Sequence, residues 1–168
     1  GSGAVTASFA ECRNAEAILV IGANPTVNHP VAATFIKNAA QRGARLYILD
    51  PRGQHLDRYA TESLRFFPGS DVAMLNAMIN VIITEELYDA DYVAKQTEGF
   101  EDLQTRTAHT TPEAMAPLCG VDADTLRRVA REPKFRKRTQ TSRYATRQEA
   151  RRIRAGVSVK AVSYTHLR

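Results

Sequence analysis

The first half of the chain alternates apolar runs with polar stretches in an order that predicts a strand, a helix and a second strand. Ala17–Ile21 is apolar without a break, which is typical of a strand covered on both faces, so we expect it to be central in its sheet. Pro30 can occupy the first turn of a helix that Gly43 ends. The apolar positions of this helix follow a 3.6-residue period: Val31, Ala32, Phe35, Ile36 and Ala39. The second strand, residues 44–50, should run parallel to the first through a right-handed crossover.

The remaining pattern predicts a sheet edge followed by helices. A short polar helix or turn is expected at 9–14, a third strand at 63–67, and a long helix at 71–86 with Asp71 as its cap. The buried face of that helix is assigned to Val72, Met74, Leu75, Met78, Ile79 and Ile82. Short helices are expected at 90–96, 100–107, 111–116 and 122–131, with Gly99 and Gly120 as breaks. The fold class is therefore α/β, a Rossmann-like three-layer α/β/α parallel sheet followed by short helices.

Charge divides the chain into two parts. Residues 1–131 carry 12 basic and 16 acidic residues, whereas residues 132–168 carry 11 basic and 2 acidic ones. The basic stretch lacks apolar periodicity, so we expect it to be disordered. It could act as a nucleic-acid-binding arm, with Phe135 and Tyr144 available for stacking. The closing VSYTHLR, however, resembles the translation of a sequencing-library adapter, so we expect residues 132–168 to be non-native.

Other composition features exclude several classes. Cys12 and Cys119 are far apart and have no CxxC spacing, which predicts neither a zinc site nor a disulfide framework. No apolar run approaches the roughly 20 residues that span a bilayer, and a cytoplasmic protein without a membrane span is expected. His29 and His55 lack a nearby nucleophile or carboxylate pair in the spacing of a catalytic triad or metal site, so no catalytic residue and no metal ligand is assigned.

Two loops at the carboxyl ends of the first two strands carry the candidate binding residues. In the first, Gly22 permits close approach of the backbone to a phosphate, and Asn24 and Asn28 offer amide donors and acceptors. The segment reads GANPTV, so the GxGxxG dinucleotide fingerprint is absent. In the second, Asp50 can accept hydrogen bonds from a ribose or a guanine edge, and Arg52 can reach a phosphate or carboxylate.

A third segment could approach the same ligand. Gly69 and Asp71 follow the predicted third strand and would bring their backbone to the same edge of the sheet. For all these positions an ordinary structural explanation stands beside the binding one: capping asparagines in a plain loop, a capping Asp50 with a solvated Arg52, and a capped turn at Gly69.

Six segments, in order, resemble the molybdenum-dependent formate dehydrogenase catalytic subunits of the molybdopterin oxidoreductase superfamily. The resemblance covers roughly residues 1–131, and the TEGFE and GVDADTLRRVAR stretches are more typical of formate dehydrogenases than of the superfamily at large. The segments are GSGAVT at Gly1, VIGANPTVNHPVAA at Val20, ILDPR at Ile48, FFPGSDVAMLNAMINVII at Phe66, LYDADYVAKQTEGFEDL at Leu87 and TPEAMAPLCGVDADTLRRVAR at Thr111.

The resemblance implies a cofactor, a reaction and partners. Residues 1–131 would be a fragment that holds one guanine dinucleotide of a bis-molybdopterin guanine dinucleotide carrying Mo or W. Asn24 and Asn28 would contact its phosphates or ribose, and Asp50 its guanine or ribose. The pocket would be lined by Gly22, Arg52, Gly69 and Asp71. The parent enzyme would oxidise formate to CO2 and pass electrons through 4Fe–4S clusters and electron-transfer subunits to NAD or another acceptor.

The chain also departs from the family pattern. GSGAVT follows the family's molybdenum-ligating Cys or selenocysteine and its neighbouring His, which this chain lacks, as it lacks the iron–sulfur cysteines and the substrate-binding Arg. Ala7 stands where the family commonly has Asn. We therefore expect the chain alone to be inactive. The alternatives are another bis-molybdopterin oxidoreductase (nitrate reductase-like or complex I large subunit-like), a stand-alone nucleotide-binding module with a nucleic-acid-binding tail, and a plain nicotinamide dehydrogenase domain.

Overall fold

A parallel three-stranded sheet organises the first part of the chain in the computed structural model. Its strands are β1 (Ala17–Ile21), β2 (Arg45–Leu49) and β3 (Glu62–Leu64), and both neighbouring pairs are parallel. The order is β1-β2-β3, so within the described residues β2 is central and β1 lies at an edge. The prediction that β1 is central is wrong here, because an unbroken apolar run reports coverage of both faces and not hydrogen-bonded neighbours on both sides.

The structure describes residues 9–132, which fall into two compact units, residues 9–65 and residues 66–132. The predictions for GSGAVT, Ala7 and the basic tail beyond Glu132, with its Phe135 and Tyr144, lie outside these residues. The α/β class with a parallel sheet is confirmed. The predicted third layer and crossover handedness stay predictions.

The first unit adds four helical segments to the sheet. They are a 3-10 helix at Phe9–Asn14, α1 at Pro25–Asn28, α2 at Pro30–Gln41 and a 3-10 helix at His55–Tyr59. The predicted start of α2 at Pro30 is confirmed. The one-turn helix α1 was not predicted, since four residues carry no periodicity. Pro25 sits at its first position, where a missing N–H costs nothing.

The core of this unit forms between α2 and the two long strands. Val20, Leu46 and Ile48 are completely buried and pack in one cluster with Ile36 and Ala39 of α2. Burying each large aliphatic side chain contributes about 1.5–3 kcal/mol. Val31, predicted as part of the buried face, is 63% exposed. The next two residues of the same turn, Ala32 and Ala33, are buried, at 4% and 7% exposed, so Val31 lies on the opposite side of the first turn of α2 from the buried face.

The second unit consists of helices. They are α3 at Asp71–Thr84, α4 at Ala90–Gln96, α5 at Phe100–Thr107, α6 at Pro112–Cys119 and α7 at Ala123–Ala130. Every predicted helix is present, and the predicted 111–116 segment extends to Cys119. The third strand, predicted to reach residue 67, ends at Leu64, and the Phe67 amide instead donates to the Cys119 carbonyl at 2.8 Å.

Two predictions at the start of α3 are wrong. Asp71 does not cap the helix: Ser70 occupies the N-cap position, Asp71 is the first helical residue, and no side chain makes a capping hydrogen bond. Asp71 still places negative charge at the positive end of the helix dipole. Val72, predicted to be buried, is 62% exposed, because the first turn of α3 presents it to solvent while Met74 and Met78 face the interior.

A glycine fixes the end of α6. Gly120 has φ +74, a left-handed conformation that non-glycine residues rarely adopt. A methyl group there would lie 2.7 Å from Cζ of Phe67, so the aromatic ring also requires glycine at this position. The break predicted at Gly120 is confirmed, and so is the break at Gly99, where α5 begins from another left-handed glycine.

Candidate functional site

Two loops lie side by side at the carboxyl end of the sheet. The amide of Gly22 donates to the carbonyl of Leu49, the last residue of β2, at 2.9 Å, which extends the β1–β2 pairing one residue beyond β1. Because Ile21 is the partner of Leu49 in the register, the next residues, Gly22 and Asp50, are neighbours across the two strands. The structure thus brings together the loops that carry five of the seven predicted binding residues.

The first loop leaves open space and unused polar groups. Gly22 has φ +58, and no atom lies within 4 Å of where a Cβ would be. Asn24 Oδ1 accepts a hydrogen bond from the Thr26 hydroxyl at 2.5 Å, which leaves the Asn24 amide NH2 available. Within residues 9–132 neither that NH2 nor the exposed side chain of Asn28 has a hydrogen-bond partner. These groups could donate to a ligand in front of Gly22.

The second loop holds a buried carboxylate in a fixed orientation. Asp50 is 7% exposed, and its Oδ1 accepts from the Arg52 amide at 2.8 Å. Its own amide donates to the Leu64 carbonyl at 3.1 Å, which ties the loop to β3. No residue in the described range donates to Asp50 Oδ2 or pairs with the exposed guanidinium of Arg52. The loop therefore presents one acceptor and one cation.

Gln54, which the sequence analysis missed, connects the two loops. Its side-chain Nε2 donates to the Ala23 carbonyl at 2.9 Å, so the segment after β2 is tied to the segment after β1. A glutamine in a polar loop carries no signal of such a contact, because the contact joins residues 31 positions apart and depends on the fold.

Asp57 holds the second loop in place through hydrogen bonds. Its Oδ2 accepts from the Gln54 amide at 2.8 Å and from Arg65 Nη2 at 2.9 Å, and its Oδ1 accepts from the Ser63 hydroxyl at 3.0 Å. The Arg65 guanidinium lies against Gly53, where a Cβ would be 3.0 Å from Nη1. Gln54 and Asp57 are three residues apart, which is the spacing of a capping box. This spacing is the signal in the sequence that could have indicated their contact.

The remaining two predicted residues belong to the second unit. Gly69 has φ +84 with open space around its Cα, and Asp71 is exposed at the start of α3. Whether they join the site formed by Gly22 and Asp50 stays a prediction.

Within residues 9–132, no group of three or more His, Cys, Asp or Glu side chains is arranged to hold a metal. Both cysteines are free thiols, and burial raises the pKa of the Cys12 thiol above its usual value. None of the helices in this range is long and apolar enough to cross a membrane.

The fold and these loops define an α/β protein with polar loops gathered at the carboxyl edge of a parallel sheet, the edge at which such sheets bind ligands. Comparison with known proteins identifies the family. The sequence model of the molybdopterin oxidoreductases matches residues 2–154, and the chain belongs to that family.

Individual relatives agree with this family and with the resemblance to formate dehydrogenases. The chain is 40% identical over 126 residues to the F420-dependent formate dehydrogenase subunit alpha of Methanocaldococcus jannaschii, covering 75% of this chain and 19% of that one. It is 39% identical over 131 residues to formate dehydrogenase H of Escherichia coli, covering 78% and 18%. Acetylene hydratase from Pelobacter acetylenicus has a similar structure, with a TM-score of 0.66 and 36% identity over 74% of this chain and 17% of that one. The chain thus spans about a fifth of the length of these relatives.

Proposed function

We propose that this chain is part of a formate dehydrogenase alpha subunit and that its first unit binds one guanine dinucleotide of a bis-molybdopterin cofactor. The observation that carries the binding proposal is the pairing of the two loops, in which Gly22 hydrogen-bonds beside Asp50 and Gln54 ties the second loop to the first. The similarity to two formate dehydrogenases supports the substrate.

The residues of the site fit a guanine dinucleotide. Gly22 leaves room for a ligand to approach the backbone. The Asn24 and Asn28 amides and the Arg52 guanidinium are donors suited to phosphate and ribose oxygens. Guanine carries donors on its ring nitrogen and its exocyclic amine, and the Asp50 carboxylate is an acceptor suited to them. Gly69 and Asp71 are proposed to complete the pocket.

The cofactor's metal, Mo or W, would supply the centre that accepts two electrons when formate is oxidised to CO2 and a proton. The residues described above would bind and orient the nucleotide end and take no part in bond breaking. Within the parent protein we propose that a 4Fe–4S cluster and electron-transfer subunits carry the electrons onward to NAD or another acceptor, and that the protein is cytoplasmic. We further propose that residues 1–131 are the cofactor-binding region and that 132–168 are foreign to it; the family match, which reaches residue 154, counts against a boundary at 132.

The binding proposal is tested with guanosine diphosphate as the probe and adenosine diphosphate as its comparison, titrated calorimetrically into the full chain. We expect the guanine nucleotide to bind at least about tenfold more tightly, because adenine does not offer the same pair of donors. Asp50→Asn should weaken its binding by about 10- to 150-fold, the loss expected when a hydrogen bond to a charged group is removed. The asparagine Oδ1 can still accept from the Arg52 amide, so the loop should keep its shape.

Asp91→Asn is the matched control, because it removes the same charge from an exposed position in α4. It should leave binding unchanged. Equal affinity for the two nucleotides, or equal effects of the two variants, would contradict the proposal, and binding of NAD alone would favour the dehydrogenase-domain alternative.

A second reaction on the same cofactor is the main alternative, and the similarity to acetylene hydratase is the observation that favours it. The parent polypeptide, loaded with its cofactor, should reduce an artificial electron acceptor when formate is added. Turnover of acetylene or nitrate without turnover of formate would replace formate dehydrogenase by another member of the family and leave the nucleotide-binding proposal intact.

A further inference from the structure

A separate cleft lies in the first unit between α2 and the 3-10 helix His55–Tyr59. Its volume is about 280 Å³, and none of the proposed cofactor-binding residues lines it. The cleft is close to the lower end of the range for small-molecule sites. It is therefore large enough for a small anion or a compact molecule that carries one.

Cationic groups line this cleft and no carboxylate does. Lys37 of α2 and Arg58 of the 3-10 helix contribute positive charge from opposite walls, and His55 lies beside Arg58. Within residues 9–132, Lys37 has no ion-pair partner. Arg58 donates from Nε to the His55 carbonyl and from Nη2 to His55 Nδ1, each at 3.2 Å, which leaves three of its five N–H donors unused.

The contact with Arg58 also determines which ring nitrogen of His55 accepts a hydrogen bond. A guanidinium can only donate, so His55 Nδ1 must accept, and the proton of the neutral ring is on Nε2. Together with the Lys37 ammonium and the free Arg58 N–H groups, the Nε2–H makes the cleft rich in donors.

Two threonine hydroxyls, of Thr26 and Thr34, also line the cleft, and both already donate their protons within the protein. Thr34 donates its proton to the Pro30 carbonyl at 3.0 Å, and Thr26 donates to Asn24 Oδ1 at 2.5 Å. The oxygen lone pairs of both hydroxyls remain available to accept a hydrogen bond. A ligand that satisfies the cations and these hydroxyls carries negative oxygens for the cations and an O–H for a threonine, which describes hydrogen phosphate and not sulfate.

We propose that this cleft binds a phosphate group bearing a proton, either as inorganic phosphate or at the end of a small phosphomonoester. The test is a titration of the isotope-labelled full chain with inorganic phosphate at neutral pH and constant ionic strength. Affinity is read from the amide resonances of Thr34 and Leu56, so binding elsewhere on the chain does not enter the measurement. Parallel titrations with sulfate and with a phosphomonoester separate the oxyanion chemistry from the size of the ligand.

We expect saturable phosphate binding in the millimolar range. Lys37→Gln and Arg58→Gln should each weaken it at least about fivefold, since each removes a charged hydrogen-bond donor. Their matched controls are Lys95→Gln in α4 and Arg42→Gln at the end of α2, which remove the same charges outside the cleft. Both controls should change the affinity less than about 1.5-fold, the size of a screened long-range effect.

Three results would overturn the proposal. One is the absence of saturation at the cleft resonances. Another is an equal loss in the cleft variants and their controls, which would show general attraction to a basic chain. The third is equal affinity for sulfate and phosphate, which would remove the role given to the threonine oxygens. Thr34→Val offers an independent check, because it should weaken phosphate binding and leave sulfate binding unchanged. Tighter binding of the phosphomonoester than of phosphate would support an organic ligand.

Discussion

Replacing Asp57 tests how the second loop is held in place. Asp57→Ala removes the acceptor of three hydrogen bonds, from the Gln54 amide, the Ser63 hydroxyl and Arg65. The two bonds from uncharged donors contribute about 0.5–1.5 kcal/mol each. The pair with Arg65, whose side chain is 53% exposed, adds about 0.2–1 kcal/mol. The midpoints of these ranges sum to about 2.6 kcal/mol, so the loss of unfolding free energy in the first unit should be about 2–3 kcal/mol.

Native-state hydrogen exchange measures this loss residue by residue. The Ile48 amide, in the buried central strand, should exchange about 30- to 150-fold faster in Asp57→Ala if its exchange requires unfolding of the unit. The Gln54 amide loses its acceptor and should lose protection first. Asp57→Asn keeps one acceptor oxygen and should show a smaller effect.

The control is Asp124→Ala, which removes a carboxylate that is 90% exposed and 4.0 Å from Arg127. It should change the exchange of Ile48 by less than about twofold. If Asp57→Ala changes the unfolding free energy by less than about 0.5 kcal/mol, the hydrogen bonds seen at Asp57 do not hold the loop and the reasoning from them is refuted.

Three further predictions concern other parts of the chain. Gly120→Ala should lower the thermal unfolding temperature more than Gly99→Ala. Both variants force an alanine into the left-handed region, which destabilises the fold by about 1–2 kcal/mol, but only at Gly120 does the methyl group meet an aromatic ring. Equal shifts in unfolding temperature would argue against that contact. Hydrogen bonds from Thr125 and the Asp124 amide lower the pKa of Asp122. The stabilisation of α7 by the Asp122 carboxylate should therefore be complete above the ordinary aspartate pKa and disappear as the pH falls through the lower folded value. A pH titration of the α7 amides checks this, and an identical profile in Asp122→Ala would contradict it. Iodoacetamide should label Cys12 before the fully buried Cys119. Because burial raises the pKa of the Cys12 thiol, its labelling rate should still increase above the pH at which the rate of an ordinary thiol becomes constant. Mass spectrometry of timed samples measures both rates, and earlier labelling of Cys119 would contradict the prediction.

Regular elements could be predicted because their signals are local. The apolar run at Ala17–Ile21, the proline that starts α2 and the helix-breaking glycines Gly99 and Gly120 lie in the sequence next to the structures they cause. Short-range patterns of this kind need no knowledge of the rest of the fold.

Features that depend on distant residues could not be predicted. The position of β1 at an edge follows from which strand pairs with which, and a single strand's composition does not report that. The network around Asp57 and the bond from Gln54 to Ala23 join residues far apart in sequence. Of the predicted site, the adjacency of the two loops followed from strand order, whereas the groups that lock them together were missed.

Mapping guanosine diphosphate on the isotope-labelled full chain shows directly whether Gly22 and Asp50 lie in one nucleotide site. If they do, we expect saturable shifts at the amides of Gly22, Asn24, Asp50 and Arg52 with a single dissociation constant. Shifts confined to one loop, different constants for the two loops, or shifts only at residues outside them would contradict it.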